Sequence, residues 1–597
     1  MRDLLRRFLS RQPASSETSG ERRGAGEASV APDAARNAFA DLERAVAADP
    51  DDAEAAARLG AELVGRGELD RAAALLGRVV SVVPTPASAP AAHRALGVLN
   101  AARGDRAAAI SHFGEALDRG LRDEAVYRDL CVLLYQNGDP ARATDVARRG
   151  IAAFPDSSDL HRYLGNLLGL AGDPAEAAAS YERALAIGPP DAETHYNLGV
   201  VLAKLDRTSD AIASYRRALA LEPGRTAAHL NLAGALRNVG RNAEAIVHYS
   251  EAARLAPDSI DAMIGEGGTR AAAGDPARGL AVLERARTAA PGDARVHAAL
   301  GILHADQGRT DDAVRCFEEA LRLRPADADT LLRLGNALLP RDQARAIGHY
   351  RQALALDPDC GVAHLVTALT GGNAERAPDA YVAKLFDGYA DRFDSHLVKE
   401  LRYETPKLIA GLLREHAAGA GHGWDVLDLG CGTGLLGVEI GGQARSLVGV
   451  DLSPGMLAKA RETGRYSRLE TAELVAMMRG EHASSYDVVT AADVFVYVGR
   501  LDDAVREIAR LLRPGGHAAF TVESLDALPD ASSTPDRDRG YRLNSSGRYA
   551  HTLGYLQRLA RENAFAAIEV RESPIRLEQG KPVQGYVVLW RRGAPSA

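Results

Sequence analysis

From about residue 53 to residue 370, apolar positions recur with a period of 34 residues. Leu96, Leu130, Leu164, Leu198, Leu232, Leu300 and Leu334 fall on one lattice, which Glu266 interrupts. Gly104, Gly138, Gly172, Gly240, Gly274 and Gly308 form a second, with Asp206 standing in once. Pro155, Pro189, Pro223, Pro257, Pro291 and Pro325 form a third. Alanines (Ala184, Ala218, Ala252, Ala286, Ala320) and aromatics (Tyr181, Tyr215, Tyr249, Phe317) keep the same phase. The spacing predicts, in each unit, an apolar-periodic helix, a glycine turn, a second helix and a proline that ends it. Small alanines let the paired helices approach, and each unit buries its apolar face only against its neighbours.

This pattern resembles the tetratricopeptide (TPR) repeat, in about nine copies starting near 53, 90, 124, 158, 192, 226, 260, 294 and 328. The resemblance implies a superhelical solenoid whose concave surface takes a protein or peptide partner. His93, His161, His195, His229, His297 and His364 share the fourth repeat position. Successive copies belong to helix pairs at least ~8–10 Å apart, whereas metal ligands converge to roughly 2 Å from one ion. They are therefore expected to be packing imidazoles, and no metal is expected. Asn197 and Asn231 resemble the asparagines that clamp a peptide backbone in the TPR superhelix of O-GlcNAc transferases. Capping of local polar groups is the other reading.

At Gly371-Gly372-Asn373-Ala374-Glu375-Arg376-Ala377-Pro378 the period breaks, which reads as a hinge. Phe386, Tyr389 and Phe393 then form a helical aromatic stripe, and residues 401 to 413 form a second helix before the first strand. Val426-Leu427-Asp428-Leu429 leads into Gly430-Cys431-Gly432-Thr433-Gly434 and a second apolar run, Leu435-Leu436-Gly437. That sequence predicts a buried strand, a tight loop and the start of a helix. Side chains in the loop would hold the backbone away from a ligand over the strand end, and the helix start offers free N–H groups. Asp451 closes the next apolar run, Leu447 to Val450, where an acid at a strand tip grips ribose hydroxyls. The stretch reads as a nucleoside-cofactor site. Gly432 to Gly437 also satisfies the dinucleotide fingerprint G-x-G-x-x-G.

The wider string Asp428-Leu429-Gly430-Cys431-Gly432-Thr433-Gly434 resembles motif I of class I S-adenosylmethionine (SAM) methyltransferases. From Tyr381 onward the chain is similar to predicted TPR-repeat methyltransferases of bacteria. The resemblance implies an all-α TPR solenoid followed by an α/β Rossmann-like domain with a seven-stranded sheet. Its last pair, Ala567 to Arg571 and Tyr586 to Trp590, would be antiparallel. The expected division is a disordered tail over 1–33, the solenoid over 34–370, a linker over 371–380 and the methyltransferase domain over 381–597. SAM is the implied cofactor. Asp451, with Leu452 beside it, would hold the ribose, and Gly430, Cys431, Gly432, Thr433 and Gly434 the methionine end. Asp428 would orient the ammonium group, and Glu473, or else Glu470, would pair with the adenine amine. Residues 381–394 resemble a segment that lies over the cofactor, which brings in Tyr389; a plain core-facing helix is the alternative.

Tyr486 to Gly499 reads as the fourth strand and the loop beyond it, where a doubly wound sheet places its chemistry, so Asp493 and Tyr497 are expected to face the methyl group. It lacks both N-P-P-Y and Pro-Cys, which points to a carboxyl, hydroxyl or amine acceptor. Arg548, Tyr549 and His551 are expected at the pocket mouth, opening a helix to Arg561. His551 is then the candidate general base, with Tyr497 and Tyr389 as further catalytic candidates, and Arg548 suits a carboxylate. The expected function is SAM-dependent methyl transfer to an O or N acceptor, with the repeats recruiting a partner. The alternative is a TPR scaffold whose second domain senses SAM or is inactive.

Composition narrows this picture slightly. A chain of 597 residues exceeds one core. A net charge of −8 argues against general nucleic-acid binding. The four cysteines lie far apart with no C-x-x-C pair, which fits neither a structural zinc site nor a disulfide framework and suits a reducing compartment. Met1 to Leu9 lacks the apolar core of a signal peptide, and no apolar run approaches membrane-spanning length, so a cytoplasmic protein is expected.

Overall fold

The computed structural model describes residues 31–50, 52–82, 89–387, 403–416, 423–528, 535–578 and 581–593. The chain separates into two compact units, Met1–Ala273 and Gly274–Ala597. In the first unit a helix over Ala31–Ala48 precedes six helix pairs, the first Ala53–Gly65 with Leu69–Val82 and the last Thr226–Asn238 with Asn242–Leu255; helix Ile260–Ala272 follows. The second unit opens with helix Pro276–Ala289, two more pairs over residues 294–356 and a short helix over Ala363–Leu369.

Each lattice has a local cause. Gly104, Gly138, Gly172, Gly240, Gly274 and Gly308 all have positive φ, and Asp206 adopts φ 58° in their place. Aspartate tolerates the left-handed region better than most residues. Helices end two residues before the lattice prolines, at Ala153, Ile187, Leu221, Leu255, Ala289 and Leu323, because proline disfavours helical backbone in the residue before it. Several second helices start at Asp-Pro: the carboxylates of Asp139, Asp173 and Asp275 accept from the backbone N–H three residues on, with proline in the first turn. A second set of glycines lets helices touch. A Cβ on Gly165, Gly199, Gly301 or Gly335 would come within 2.4–2.7 Å of the ring of Tyr181, Tyr215, Phe317 or Tyr350.

The lattice histidines pack, and three also latch. Nε2 of His161, His229 and His297 donates to the carbonyl of Pro155, Pro223 and Pro291 at 3.1, 3.0 and 2.9 Å. Asn197 donates to Asn166 Oδ1 at 3.2 Å, where the Tyr181 hydroxyl also donates at 2.8 Å, and Asn231 donates to the Tyr196 hydroxyl at 3.2 Å. Both asparagines are thus engaged by local polar groups.

The α/β part carries strands β1 (Trp424–Leu429), β2 (Ala444–Asp451), β3 (Arg468–Thr471), β4 (Tyr486–Ala491), β5 (Leu512–Ser524), β6 (Tyr541–Leu543), β7 (Tyr549–His551), β8 (Phe565–Glu578) and β9 (Lys581–Arg592). Strands β3-β2-β1-β4-β5 run parallel, and β9 adds antiparallel to β5 with β8 outside it. Among the described residues, nine strands stand where seven were expected. The additional pair is a hairpin, β6–β7, whose β7 pairs with the last residues of β5, Glu523 and Ser524. The sheet is covered on both faces. Val426 packs with Ile409, Leu413 and Leu436 on one side; Leu427 and Leu429 pack with Val505, Leu511 and Leu556 on the other.

The stretch read as a hinge is bonded along its length. Arg376 bridges Val498 in antiparallel fashion. Ala377 N–H donates to the Tyr497 carbonyl, and Gly499 and Arg500 N–H both donate to the Glu375 carbonyl, each at 2.9 Å. The Asn373 side chain accepts from Leu543 N–H at 3.0 Å. His364, on the helix just before, donates from Nε2 to the Gly547 carbonyl at 3.0 Å.

Candidate functional site

Strand order reverses between β1 and β4, and ligands of open α/β sheets bind at such a switch point, outside the carboxyl ends of the strands. A cavity of about 820 Å³ opens there. Gly430 and Gly432 line it at the end of β1, Asp451 and Leu452 at the end of β2, Glu473 after β3, and Asp493 and Tyr497 after β4. The volume lies within the ~300–1,000 Å³ usual for small-molecule sites.

The loop's shape follows from its glycines. Gly430, Gly432 and Gly434 have φ of 58°, 54° and 89°, and a Cβ on Gly430 would meet Val494 at 2.5 Å. Asp451 fixes the loop and the next helix together: Oδ2 accepts from Gly432 N–H and Oδ1 from Ser453 N–H, both at 2.9 Å. Burial pushes its carboxyl above the usual range, opposed by the N–H groups it accepts. The helix after the loop, Leu435–Ile440, is short.

Asp428 is 1% exposed and is not among the residues lining the cavity. Its oxygens accept from the Tyr466 hydroxyl at 2.7 Å and the Thr490 hydroxyl at 2.8 Å. Burial raises its carboxyl to about 6, against the pull of those two bonds. The Tyr466 ring it holds packs where a Cβ on Gly434 or Gly437 would stand, 3.0 and 2.5 Å away. Asp428 therefore braces the glycine loop from within the core. Cys431 and Thr433 are buried as well. Burial pushes the Cys431 thiol up, and Cys431 packs with Leu457 and Ala460.

Of the two candidate acids, Glu473 follows β3 and lines the cavity, whereas Glu470 lies within β3 and does not. Glu473 caps helix Leu474–Gly480 by accepting from Ala476 N–H at 2.7 Å, and Arg376 donates to its other oxygen at 3.0 Å. Asp493 has φ 60°, and Arg576 Nη1 holds it through both carboxylate oxygens, at 2.8 and 2.9 Å. Arg576 Nη2 also donates to Glu523. Phe386 packs edge-on to Tyr497, ring centroids 5.5 Å apart. Tyr389 lies outside the described residues, as does the rest of the aromatic stripe beyond Phe386.

His551 corrects the expectation of a base at the pocket mouth. It is 0% exposed and does not line the cavity. The helix starts at Leu553 with Thr552 as its cap, so His551 falls in β7 and points into the core, where Nε2 is shared by the carbonyls of Val498 at 3.1 Å and Gly499 at 2.9 Å. Burial lowers its imidazole to about 4, with the two carbonyls opposing. Tyr549 is fully buried too, whereas Arg548 lines the cavity. Arg376, Tyr466, Glu523 and Arg576 escape a sequence reading. The one visible signal is an arginine between two aliphatics, Ile575 and Leu577, in a strand.

A methyltransferase-domain family model matches residues 427–518. TPR family models match residues 57–121, 129–192, 196–260 and 298–359, and a second TPR model residues 239–303. A ubiquinone biosynthesis O-methyltransferase from Cronobacter sakazakii is 30% identical over 164 residues, 26% of this chain and 67% of that protein. The chain belongs to the TPR-containing class I methyltransferases. It spans 44% to 67% of the length of the first curated relatives it matches. Among solved structures, YrrB, described as a TPR protein with an unusual peptide-binding site, aligns at 24% identity over 33% of this chain and 97% of its own, with a TM-score of 0.30. A SAM-dependent methyltransferase from Methanosarcina mazei aligns at 17% identity over 30% of this chain and 97% of its own, TM-score 0.25. Among the described residues of this methyltransferase, no helix is long and apolar enough to cross a membrane.

Proposed function

We propose that the methyltransferase domain uses S-adenosylmethionine to methylate an O or N acceptor, and that the repeats recruit a protein or peptide partner. The observation that carries the reading is the set of groups around one cavity: two loop glycines, Gly430 and Gly432, at the end of β1, an acid at the tip of β2 and an acid after β3. A nucleoside with an amino-acid tail asks for those three things, namely close backbone approach, a grip on ribose hydroxyls and an acceptor for an amine. The residues fit the cofactor. Asp451 would hold the ribose, Glu473 the adenine amine, and Gly430 and Gly432 the methionine end, with Asp428 and Tyr466 keeping the loop in shape.

Bound there, the cofactor supplies an electrophilic methyl group on a sulfonium. The chain's own residues contribute position, since alignment of two reactants within about 3 Å is worth much of the barrier. Phe386, from the segment before β1, and Tyr497 wall the acceptor side.

Calorimetric titration of the full chain with S-adenosylhomocysteine tests this, beside Asp451→Ala and Gly432→Arg and with NADH as a parallel titrant. Wild type is expected to bind the homocysteine with micromolar affinity and both variants to lose it. A folded wild type that ignores it, or prefers NADH, would sink the reading.

A further inference from the structure

Asp493, Tyr497, Arg548 and Arg576 also line the cavity. Its charges are unevenly committed. The Arg576 side chain is 2% exposed and holds two acids, the partly buried Asp493 through both its oxygens and the buried Glu523 through its other nitrogen. The second Glu523 oxygen accepts from Asn544 at 3.4 Å. Arg576 Nε is buried without a hydrogen-bond partner among the described residues. Arg548 is paired far more loosely: Nη1 lies 3.4 Å from Glu578, whose side chain is 45% exposed and competes with water for the bond. Burial works against the Arg548 charge, yet Tyr497, Asp493 and Glu523 keep it in place. The result is a charged fork in the cavity wall, with Asp493 and Glu523 already held by another arginine.

Among the described residues, two proton acceptors after β4 and in β7 are taken as well. Asp493 is locked to Arg576, and His551 is turned inward onto two carbonyls. A phenol, alcohol or ammonium acceptor needs a free proton acceptor, which neither of these two offers. A carboxylate does not, since it is already ionised at neutral pH, and it matches the geometry of a guanidinium fork.

We propose that the methyl acceptor is a carboxylate seated on Arg548 and that the product is a methyl ester. The inference rests on the cofactor reading above. One carboxylate oxygen stays on the guanidinium while the other forms the new O–C bond; the C–S bond breaks and its electron pair remains on sulfur. The acceptor leaves as a neutral ester, with no proton to move and no further reactant needed. Loss of its negative charge weakens the hold of Arg548, which favours release.

The test is calorimetry on the full chain saturated with S-adenosylhomocysteine. Two sources of carboxylate are titrated, small acids (benzoate, phenylacetate) and a tripeptide with a free C-terminus, each against its matching carboxamide. In one arm the acid is expected to bind about tenfold more tightly than its amide, the scale of a lost charge-assisted bond. Arg548→Gln should erase that preference and Arg548→Lys keep part of it, both with homocysteine binding intact, which shows that the site is folded. Turnover with methyl-labelled SAM should give a product that releases methanol in mild alkali. No acid preferred over its amide in either arm, a preference that survives Arg548→Gln, or an alkali-stable label would each overturn the proposal. A wild type blind to the homocysteine would instead remove the cofactor reading, and the acceptor with it.

Discussion

In the repeats, two separate positions divide the demands on glycine, whereas at the tip of β1 a single residue meets both. The turn glycines, such as Gly172 (φ 89°), need only a left-handed backbone, since a Cβ there would meet nothing within 4 Å. The helix glycines, such as Gly165, need only room, because the Tyr181 ring occupies the place of a side chain. Gly430 needs both a φ of 58° and the absence of a Cβ beside Val494. A repeat can therefore trade one glycine away, as Asp206 shows, while the loop that holds a ligand has no spare degree of freedom.

The largest effect follows from that overlap. Gly430→Ala meets ~1–2 kcal/mol of backbone strain and ~1–3 kcal/mol of overpacking, so the α/β part should lose about 2–5 kcal/mol. Both tryptophans, Trp424 and Trp590, lie in that part. Their fluorescence in urea therefore reads it without interference from the repeats. S-adenosylhomocysteine binding should vanish at temperatures where the variant is still folded. An unchanged midpoint would mean that Val494 yields and that the loop tolerates a side chain.

Buried polar groups extend the contrast. Three repeat histidines, His161, His229 and His297, are satisfied by the carbonyl of the proline that ends the preceding unit, but the brace behind the glycine loop is an acid in the core. The Asp428 carboxyl is raised by burial to about 6, from about 3.9 when unfolded. Between those values the native state holds more protons than the unfolded state, so stability falls as pH rises through the window. Above about 6 the full penalty applies, roughly 3 kcal/mol for about two units. Asp428→Asn should gain on wild type as pH rises from about 4 to about 6 and then hold a constant lead. Tryptophan-monitored urea midpoints at several pH values give the difference. A lead that is flat across the window would mean that the carboxyl titrates normally and Tyr466 is held by other contacts.

Within the repeats the effects are smaller. Gly165→Ala drives a Cβ to 2.7 Å from the Tyr181 ring, an overpacking worth ~1–3 kcal/mol. The hydroxyl of that ring also bonds Asn166, so the ring cannot swing away without a second loss. Hydrogen exchange of helices Ser158–Ala171 and Pro174–Ile187 should rise, with the α/β amides unchanged. Protection that stays the same would show that the helices separate cheaply.

How much of this was legible depended on whether its cause was local. The repeat lattices were readable because each position answers to a turn, a helix end or a neighbour one period away. Strands β1, β2 and β4 were readable because each is a buried apolar run long enough to stand out. Strands β6 and β7 have three residues each, too few for alternation to appear, and so His551 was read as part of a helix start one turn too early. The histidine latch was invisible because its acceptor is a backbone carbonyl. Arg576 and Arg376 were missed because the acids they hold, Asp493 with Glu523, and Glu473, come from strands and loops distant in sequence. Pairings of that kind exist only once the sheet has formed.

The finest test of the comparison is the reverse exchange, Asp206→Gly. Asp206 is an exposed residue at φ 58° in the turn between helices Ala192–Lys204 and Thr208–Leu221. The turn closes through backbone bonds, Arg207 N–H to the Leu202 carbonyl at 3.0 Å among them, and glycine leaves these intact. Glycine removes ~1–2 kcal/mol of left-handed strain but returns ~0.4–1 kcal/mol through a freer unfolded chain. The net expectation is a gain of between about 0 and about 1.6 kcal/mol, seen as slower exchange in those two helices. Destabilisation would show that the Asp206 side chain contributes a bond of its own to the turn. Its place on the glycine lattice would then be a local solution, and the division of labour among the repeat glycines would have to be drawn turn by turn.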